Sequence, residues 1–479
     1  MPTDPAHPRM IERQLALFFR VWAFVVFCDR AVRGTSDTVW SVAIVLSAGL
    51  LFQRPGSVGR VALLSAVHFT WYLRGYAARA DIHWHIAAMM HLTFLVGIGW
   101  SWLRDRRSPR LASLYPSVAP VARWVFAICM VSAGFAKLNT GFMDPSVSCA
   151  VALLEFQRTV FPYSLIPNTP VMQWVAMVST IVAEIGAPLL LLVRPLRLAG
   201  YVLTVGLFVF IGTNPVGYLF EFAGEFLAFS IFYASPAWIA AGLDGVAPVR
   251  GLLAPLSRLF SGGRAVRRLL LQAVGLAGLG VLVFGTGVLD LRDVRLEACR
   301  AVYVVGLGLF TALLAIGAVM VKDREPRLSV LPSPWFLVGV PLVFLAGEVS
   351  TYIGLKHIPT MTMAGNNATS TAWSNHLLVN PVPRWDFNRL VRIKASSDKR
   401  LQRGEEMVWL RFSDWMARHP RATVDYVVDG VPVHAEGAPD GKRVDPTFER
   451  SVWPGLLRLD SQVFPRRSPD CGHRVGEKH

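Results

Sequence analysis

Residues 119–138 read APVARWVFAICMVSAGFAKL. Arg123 and Lys137 are the only charges in the run, and the stretch between them is uncharged. A bilayer core about 30 Å thick needs roughly 20 mostly apolar residues in a helix. This stretch satisfies that requirement with one charge towards each end. Working outward, ten further runs are apolar over a comparable length: 15–28, 38–53, 57–73, 84–103, 172–193, 198–213, 219–241, 268–289, 301–321 and 333–354. Three of them (15–28, 38–53 and 198–213) are short and suit re-entrant or interfacial segments as well as spans. The expected fold is an all-α polytopic membrane helix bundle of about 9–11 spans.

Composition points the same way. The chain has 479 residues, 53% hydrophobic and only 17% charged. Soluble domains carry about 25% charged residues. A disordered chain, a collagen and a disulfide-dense small domain are excluded. The net charge of +16 would suggest nucleic acid in a soluble protein. Here the basic residues mark topology instead, because cytoplasmic loops are enriched in Lys and Arg. With the N-terminus inside, roughly 19 basic residues fall on the inner side and about 9 on the outer. Arg54 and Arg60, the run from Arg104 to Arg110, and Arg194 with Arg197 are among the inner ones. This places the N-terminus in the cytoplasm and makes membrane lipid, not nucleic acid, the expected partner; the Arg- and Ala-rich usage suggests that the membrane is a bacterial-type inner membrane. The first apolar run contains Arg20 and lacks a small-residue cleavage site, so it reads as a retained helix.

The sequence divides into a membrane domain, 1–355, and an extracytoplasmic C-terminal domain, 356–479. The latter is polar and reads as a small α/β or β-rich extramembrane domain. Residues 423–435, TVDYVVDGVPVHA, place two β-rich runs around Asp429-Gly430, a hairpin signature. Residues 405–416, EEMVWLRFSDWM, have an amphipathic helical pattern. Of five cysteines, Cys28, Cys149, Cys299 and Cys471 fall at or near the outer face and Cys129 within a helix. An outer compartment permits disulfides, and isolated thiols fit equally well. No CxxC pair is present, and no metal site is expected.

Ionisable groups inside spans are costly and mark function by default. Lys137 ends the fifth span beside Ser132, Ala133, Gly134 and Ala136, small residues that permit close helix packing. A desolvated lysine is a plausible base, and a lysine snorkelling from a helix end is the simpler alternative. His83 and His85 open the fourth span; on a helix an H-x-H pair points to two faces and chelates poorly. Glu184 lies inside 172–193, Glu221 and Glu225 share one helix face, and Glu348 stands near the end of the last span. These carboxylates either serve a substrate or quinone pocket or pair with Lys137, Arg20 or a histidine to hold the bundle. The polar stretch after the last span, including Asn375 and His376, either caps the outer mouth or takes part in binding. Walker A, dinucleotide-binding, GxSxG, HExxH and haem-attachment motifs are absent from the sequence.

The segment AGFAKLNTGF (133–142), the downstream Pro145 and Ser148-Cys149, and SNHLL (374–378) resemble the HTTM family, the membrane domain shared with vitamin K-dependent γ-glutamyl carboxylase. The resemblance runs from the first span to about residue 395. The AG-x-x-KL core alone is also similar to DoxX-type membrane proteins. The resemblance implies a lyase that couples quinol oxygenation, or epoxidation, to carboxylation of glutamate in a peptide. Lys137 would be the base acting on reduced vitamin K or menaquinol, with O2 and CO2 as co-substrates. The functional histidine of the family falls on His83, or on His85 next to it. Glu184, Glu221, Asn375 and His376 would line the substrate or quinone pocket, and a secreted Glu-containing peptide would be the partner. The dry pocket would protect a strong base from quenching by water. The external segment is short compared with the eukaryotic enzyme's, which puts propeptide recognition in doubt. Two other readings remain. One is a non-catalytic HTTM membrane protein acting as an assembly, export or immunity partner. The other is a transporter or lipid-handling protein with Glu184, Glu221, Glu225 and Arg20 along a polar path.

Overall fold

The computed structural model describes residues 6–33, 38–74, 82–105, 109–159, 163–214, 219–245, 292–321, 329–350, 352, 376–379, 390–398, 401, 406–419, 421–428 and 430–436. Most of these are helical. The helices are α1 (Ala6–Arg33), α2 (Thr38–Gln53), α3 (Val58–Arg74), α4 (Ile82–Asp105), α5 (Tyr115–Ala136) and α6 (Cys149–Gln157). They continue with α7 (Pro170–Leu192), α8 (Arg197–Gly212), α9 (Leu219–Ser230), α10 (Pro236–Gly245), α11 (Arg292–Met320), α12 (Gly339–Val349) and α13 (Trp409–Arg418). Each apolar run read from the sequence coincides with a helix or a helix pair, except 268–289, which lies outside the described residues.

Among the described residues four helical stretches are long and apolar enough to cross a membrane: His85–Arg104, Leu111–Ala136, Pro170–Leu192 and Arg194–Gly212. A bent pair, Phe222–Tyr233 with Pro236–Gly245, makes a fifth if counted as one span. That count covers the described residues alone: the run 268–289 lies outside them, and within them α2 has 16 residues and α12 has 11, too few for the spanning criterion. Helix α6 has only 9 residues, below any spanning window, and the sequence reading passed over it.

The chain forms two units, residues 1–75, 86–127 and 186–340, and residues 76–85, 128–185 and 341–479. In the first, α1 packs on α2, α9 and α10, and α10 packs on α11. Its core is aromatic: Phe18, Phe19, Trp22 and Phe94 meet edge-on or stacked, and Phe18 also meets Phe232 at 4.6 Å between ring centroids.

The run expected as one span at 219–241 is broken. Its two helices meet at 113°. Pro236 supplies the reason: it has no N–H to donate and disfavours helical geometry at Ser235. The Ser235 hydroxyl accepts from Trp238 N–H at 3.1 Å and caps the new helix. Carbonyls released at the break are taken up by side chains from elsewhere. The Gln14 amide donates to Ile231 and Ala234 oxygens at 2.8 and 3.0 Å, and Arg123 Nε donates to Phe232 oxygen at 2.7 Å. Irregular backbone at membrane depth requires such internal partners.

The second unit contains a four-stranded antiparallel sheet in the order β2-β1-β3-β4, with β1 (Leu390–Ser396), β2 (Glu406–Val408), β3 (Thr423–Val428) and β4 (Val431–Glu436). The hairpin lies where Asp429-Gly430 predicts it. Val428 faces Val431, and Gly430 has φ +84°, a left-handed conformation that glycine adopts without strain. The amphipathic segment expected from Glu405 divides: Glu406–Val408 pairs with Leu390–Arg392, and the helix begins only at Trp409. An available strand edge outweighs helix propensity over those three residues. Behind the sheet, Val391, Ile393, Phe412, Met416 and Val424 are fully buried, which gives this small α/β layer its own core.

Candidate functional site

Helix α5 ends at Ala136, and the next three residues form a tight turn. Lys137 N–H donates to Gly134 oxygen at 3.1 Å, and Asn139 N–H donates to Lys137 oxygen at 2.8 Å. Asn139 locks the turn: its amide donates to Ala136 oxygen at 2.8 Å, and its side-chain oxygen accepts from Phe142 N–H at 2.8 Å. The Lys137 side chain turns inward and is 3% exposed. Its Nζ lies 2.9 Å from Glu184 Oε1 and 2.8 Å from Oε2, and 3.4 Å from the Ala133 oxygen. The Phe142 ring centroid is 5.9 Å from Nζ. Glu184 is 6% exposed, so both members of the pair are out of water.

Gly134 makes this meeting possible. A Cβ at that position would stand 2.6 Å from Ile185 Cγ1 and 3.1 Å from Glu184 Cβ. The small residue lets α7 approach α5 closely enough to bring its carboxylate to the lysine. Nearby, Phe142, Ala150, Val151 and Met177 form a separate apolar cluster linking the post-lysine loop to α6 and α7. In that loop Asp144 accepts from the Ser146 hydroxyl and N–H at 2.7 and 2.9 Å, and these bonds hold its carboxyl below the usual range.

Residues 376–378, the end of SNHLL, close onto the same turn. Leu377 N–H donates to Leu138 oxygen at 2.8 Å, and His376 faces Asn139 in an antiparallel bridge. Leu378 N–H donates to His376 Nδ1 at 3.1 Å, which makes Nδ1 the acceptor. His376 Nε2 is therefore the protonated nitrogen, donating to Phe135 oxygen at 3.0 Å. Burial pushes the His376 imidazole below its ordinary value, with the Phe135 hydrogen bond acting against that. Its ring packs against Phe135 and Tyr352 at centroid distances of 4.7 and 5.7 Å.

Of the residues read from the sequence, Lys137, Glu184 and His376 are thus assembled around one turn, all within the second unit. Glu184 engages the lysine directly. His85 is buried with its ring 5.2 Å from that of Phe344 in α12. The side chains of His83 and Glu221, and residue Asn375, lie outside the described residues. Glu225 is buried in α9 of the first unit. Gly134 was read from the sequence as one of the small residues permitting close packing, but Asn139 as the turn's lock and the Phe135 carbonyl as a histidine acceptor were not identified. An asparagine two residues beyond a lysine-ended helix was the one available signal.

Chemically, the arrangement offers an amine and a carboxylate that can exchange one proton inside an apolar enclosure. Moving the proton from Nζ to Glu184 converts an ion pair into a neutral amine and acid without changing net charge. Cys149, at the start of α6, is disulfide-bonded, and Cys28 and Cys129 are buried in helices. Among the described residues no group of three or more His, Cys, Asp or Glu side chains is gathered as for a metal ion. No protein-family model, curated protein sequence or solved structure matches the chain.

Proposed function

We propose that the chain is a polytopic membrane protein of about 9–11 spans with the N-terminus in the cytoplasm and the segment after residue 355 outside. We propose further that it is a quinol-dependent, γ-carboxylase-like enzyme with Lys137 as its base. The single observation that carries the enzymatic reading is the buried Lys137–Glu184 pair at 2.9 Å, set in the AGFAKLN segment. Lipid contact is supported by the outer faces of the helices. Val171, Trp174, Val175, Val178 and Val182 on α7 are all at least 44% exposed, an apolar surface that water would penalise.

In this reading Glu184 stores the proton that leaves Lys137 and frees the amine for general-base work. The site fits a quinol in kind: a proton acceptor bounded by the Phe142 ring, with apolar side chains beyond. A bound hydroquinone supplies the reducing electrons and, with O2, the strong base needed at the glutamate γ-carbon. His376 and Asn139 hold the Lys137 turn in place; the resemblance assigns His83 a catalytic role beside Lys137, and His85, Glu221 and Asn375 are assigned to substrate or quinone binding. The expected partner is a secreted Glu-containing peptide.

The test is quinol epoxidation in nanodiscs under air, read by mass spectrometry. Vitamin K hydroquinone and menaquinol are supplied to wild type, Lys137→Ala and Glu184→Gln. Epoxide from wild type and a loss of at least about 100-fold in Lys137→Ala are expected, as for removal of a general base. Undiminished epoxide in Lys137→Ala would remove the lysine from the chemistry. A second reading, a non-catalytic membrane partner, is favoured by the same contact, because an ion pair joining α5 to α7 is a sufficient structural latch. Absence of epoxide even with bicarbonate and Glu-containing peptides selects it.

A further inference from the structure

A second feature lies in the first unit, among residues the proposed chemistry does not use. An open cavity of about 940 Å³ is lined by the start of α1, the α2–α3 turn, α4 and the approach to α5. Three arginines line it, Arg9, Arg13 and Arg110, against one carboxylate, Glu12. Arg13 is already held by Asp244 through a bidentate pair at 2.6 and 3.0 Å. Arg9 and Arg110 are exposed and form no ion pair among the described residues. The remaining wall is apolar, with Ile98 and Leu111 among its residues. Gly56 and Gly59 border open space: a Cβ at either would meet nothing within 4 Å.

The combination of a cationic rim and apolar walls is selective. A free phosphate would use the arginines and leave the walls in water. A neutral lipid would use the walls and leave the arginines unmatched. An amphiphile with a phosphate head satisfies both. Arg9, Glu12, Arg13, Gly56, Pro109 and Arg110 fall in segments assigned to the cytoplasmic side by loop charge, and Ala16, Gly59, Ala62 and Ile98 lie in the adjoining ends of the expected spans. Basic pockets between helices on that side match the negative inner leaflet.

We propose that this cavity binds an anionic glycerophospholipid, with its phosphate between Arg9 and Arg110 and its glycerol and upper acyl carbons along the apolar wall. The proposal rests on the membrane reading above and is independent of the quinol chemistry. The drug-sized volume is adequate for that part of a lipid.

The full-length protein in detergent is titrated with phosphatidylglycerol, phosphatidylcholine or inorganic phosphate, and lipid retention is read by native mass spectrometry. Phosphatidylglycerol should bind about 30-fold tighter than phosphatidylcholine, given roughly tenfold or less per basic contact. The Arg9→Gln/Arg110→Gln variant should lose that preference. Gly59→Leu, which fills the cavity without changing charge, should weaken phosphatidylglycerol binding too. Equal affinity for the two lipids, an unaltered double variant, or phosphate competing as well as lipid would each overturn the proposal. Wild type is also labelled with a photoactivatable phosphatidylglycerol, so the test survives a variant that fails to fold. Adducts within 9–16, 56–62 or 98–111 support the site, and adducts confined elsewhere overturn it. Loss of the protein from phosphatidylcholine nanodiscs would instead refute the membrane reading.

Discussion

Lys137 and Glu184 are each nearly inaccessible, and each is the other's charge partner at under 3 Å. Removing one side strands the other as a buried charge, which costs about 3–5 kcal/mol; replacing both with apolar groups of similar volume is often neutral. Lys137→Met alone should therefore lower stability markedly, whereas Lys137→Met/Glu184→Leu should recover most of the loss. Thermal melts of the three proteins check this. If recovered stability leaves epoxidation at zero, chemistry is separated from folding. His376 gives a pH-dependent prediction. Its folded value is depressed below the ordinary 6.5 by burial, so the neutral ring contributes stability fully above the unfolded value. That contribution falls as pH drops below the unfolded value towards the folded one. Wild type should thus lose its stability margin over His376→Gln between pH 7.5 and acid pH, measured by melts across that range. A margin independent of pH would show that the imidazole is not held neutral.

At the scale of elements, one close approach and one helix break are each decided by a single residue. Gly134 admits α7 against α5, and Pro236 breaks the helix that the hydropathy of 219–241 suggests is continuous. The broken helix is stable because distant side chains take its carbonyls. Gln14 on α1 accounts for two of them. An unsatisfied buried polar group costs about 1–3 kcal/mol. Gln14→Leu should therefore destabilise the protein by about 2–4 kcal/mol, far more than an exposed substitution on the same helix. A melt equal to wild type would show that the break does not depend on Gln14.

For the whole molecule, the outer assignment of the α5–α6 loop has an independent consequence. Cys149 is oxidised in the structure, and disulfides persist in oxidising compartments. In unreduced protein, iodoacetamide should leave Cys149 unlabelled, and reduction should expose it, as read by peptide mass spectrometry. Labelling of Cys149 without reduction would contradict both the bond and the side assigned to the loop.

Hydropathy placed the helices because burial of apolar residues over a bilayer-length run is a local property of the chain. It found α5, α7 and α8, and the turn residues Asp429-Gly430 between two β-rich runs found the hairpin, since they favour the turn geometry without help from elsewhere. It singled out Lys137, Glu184 and His376 one by one, because charged and polar groups in or beside apolar runs are conspicuous. It left their assembly open. Lys137 and Glu184 are far apart in sequence, and His376 is nearly two hundred residues beyond Glu184. Only the packing permitted by Gly134, and the pairing of 376–378 with the turn after α5, brings the three together. Hydrogen bonds and ion pairs are read from positions in space, which linear pattern does not carry. The same reason hid the break at Pro236: its cost is met by Gln14 and Arg123, residues that nothing nearby in sequence connects to it.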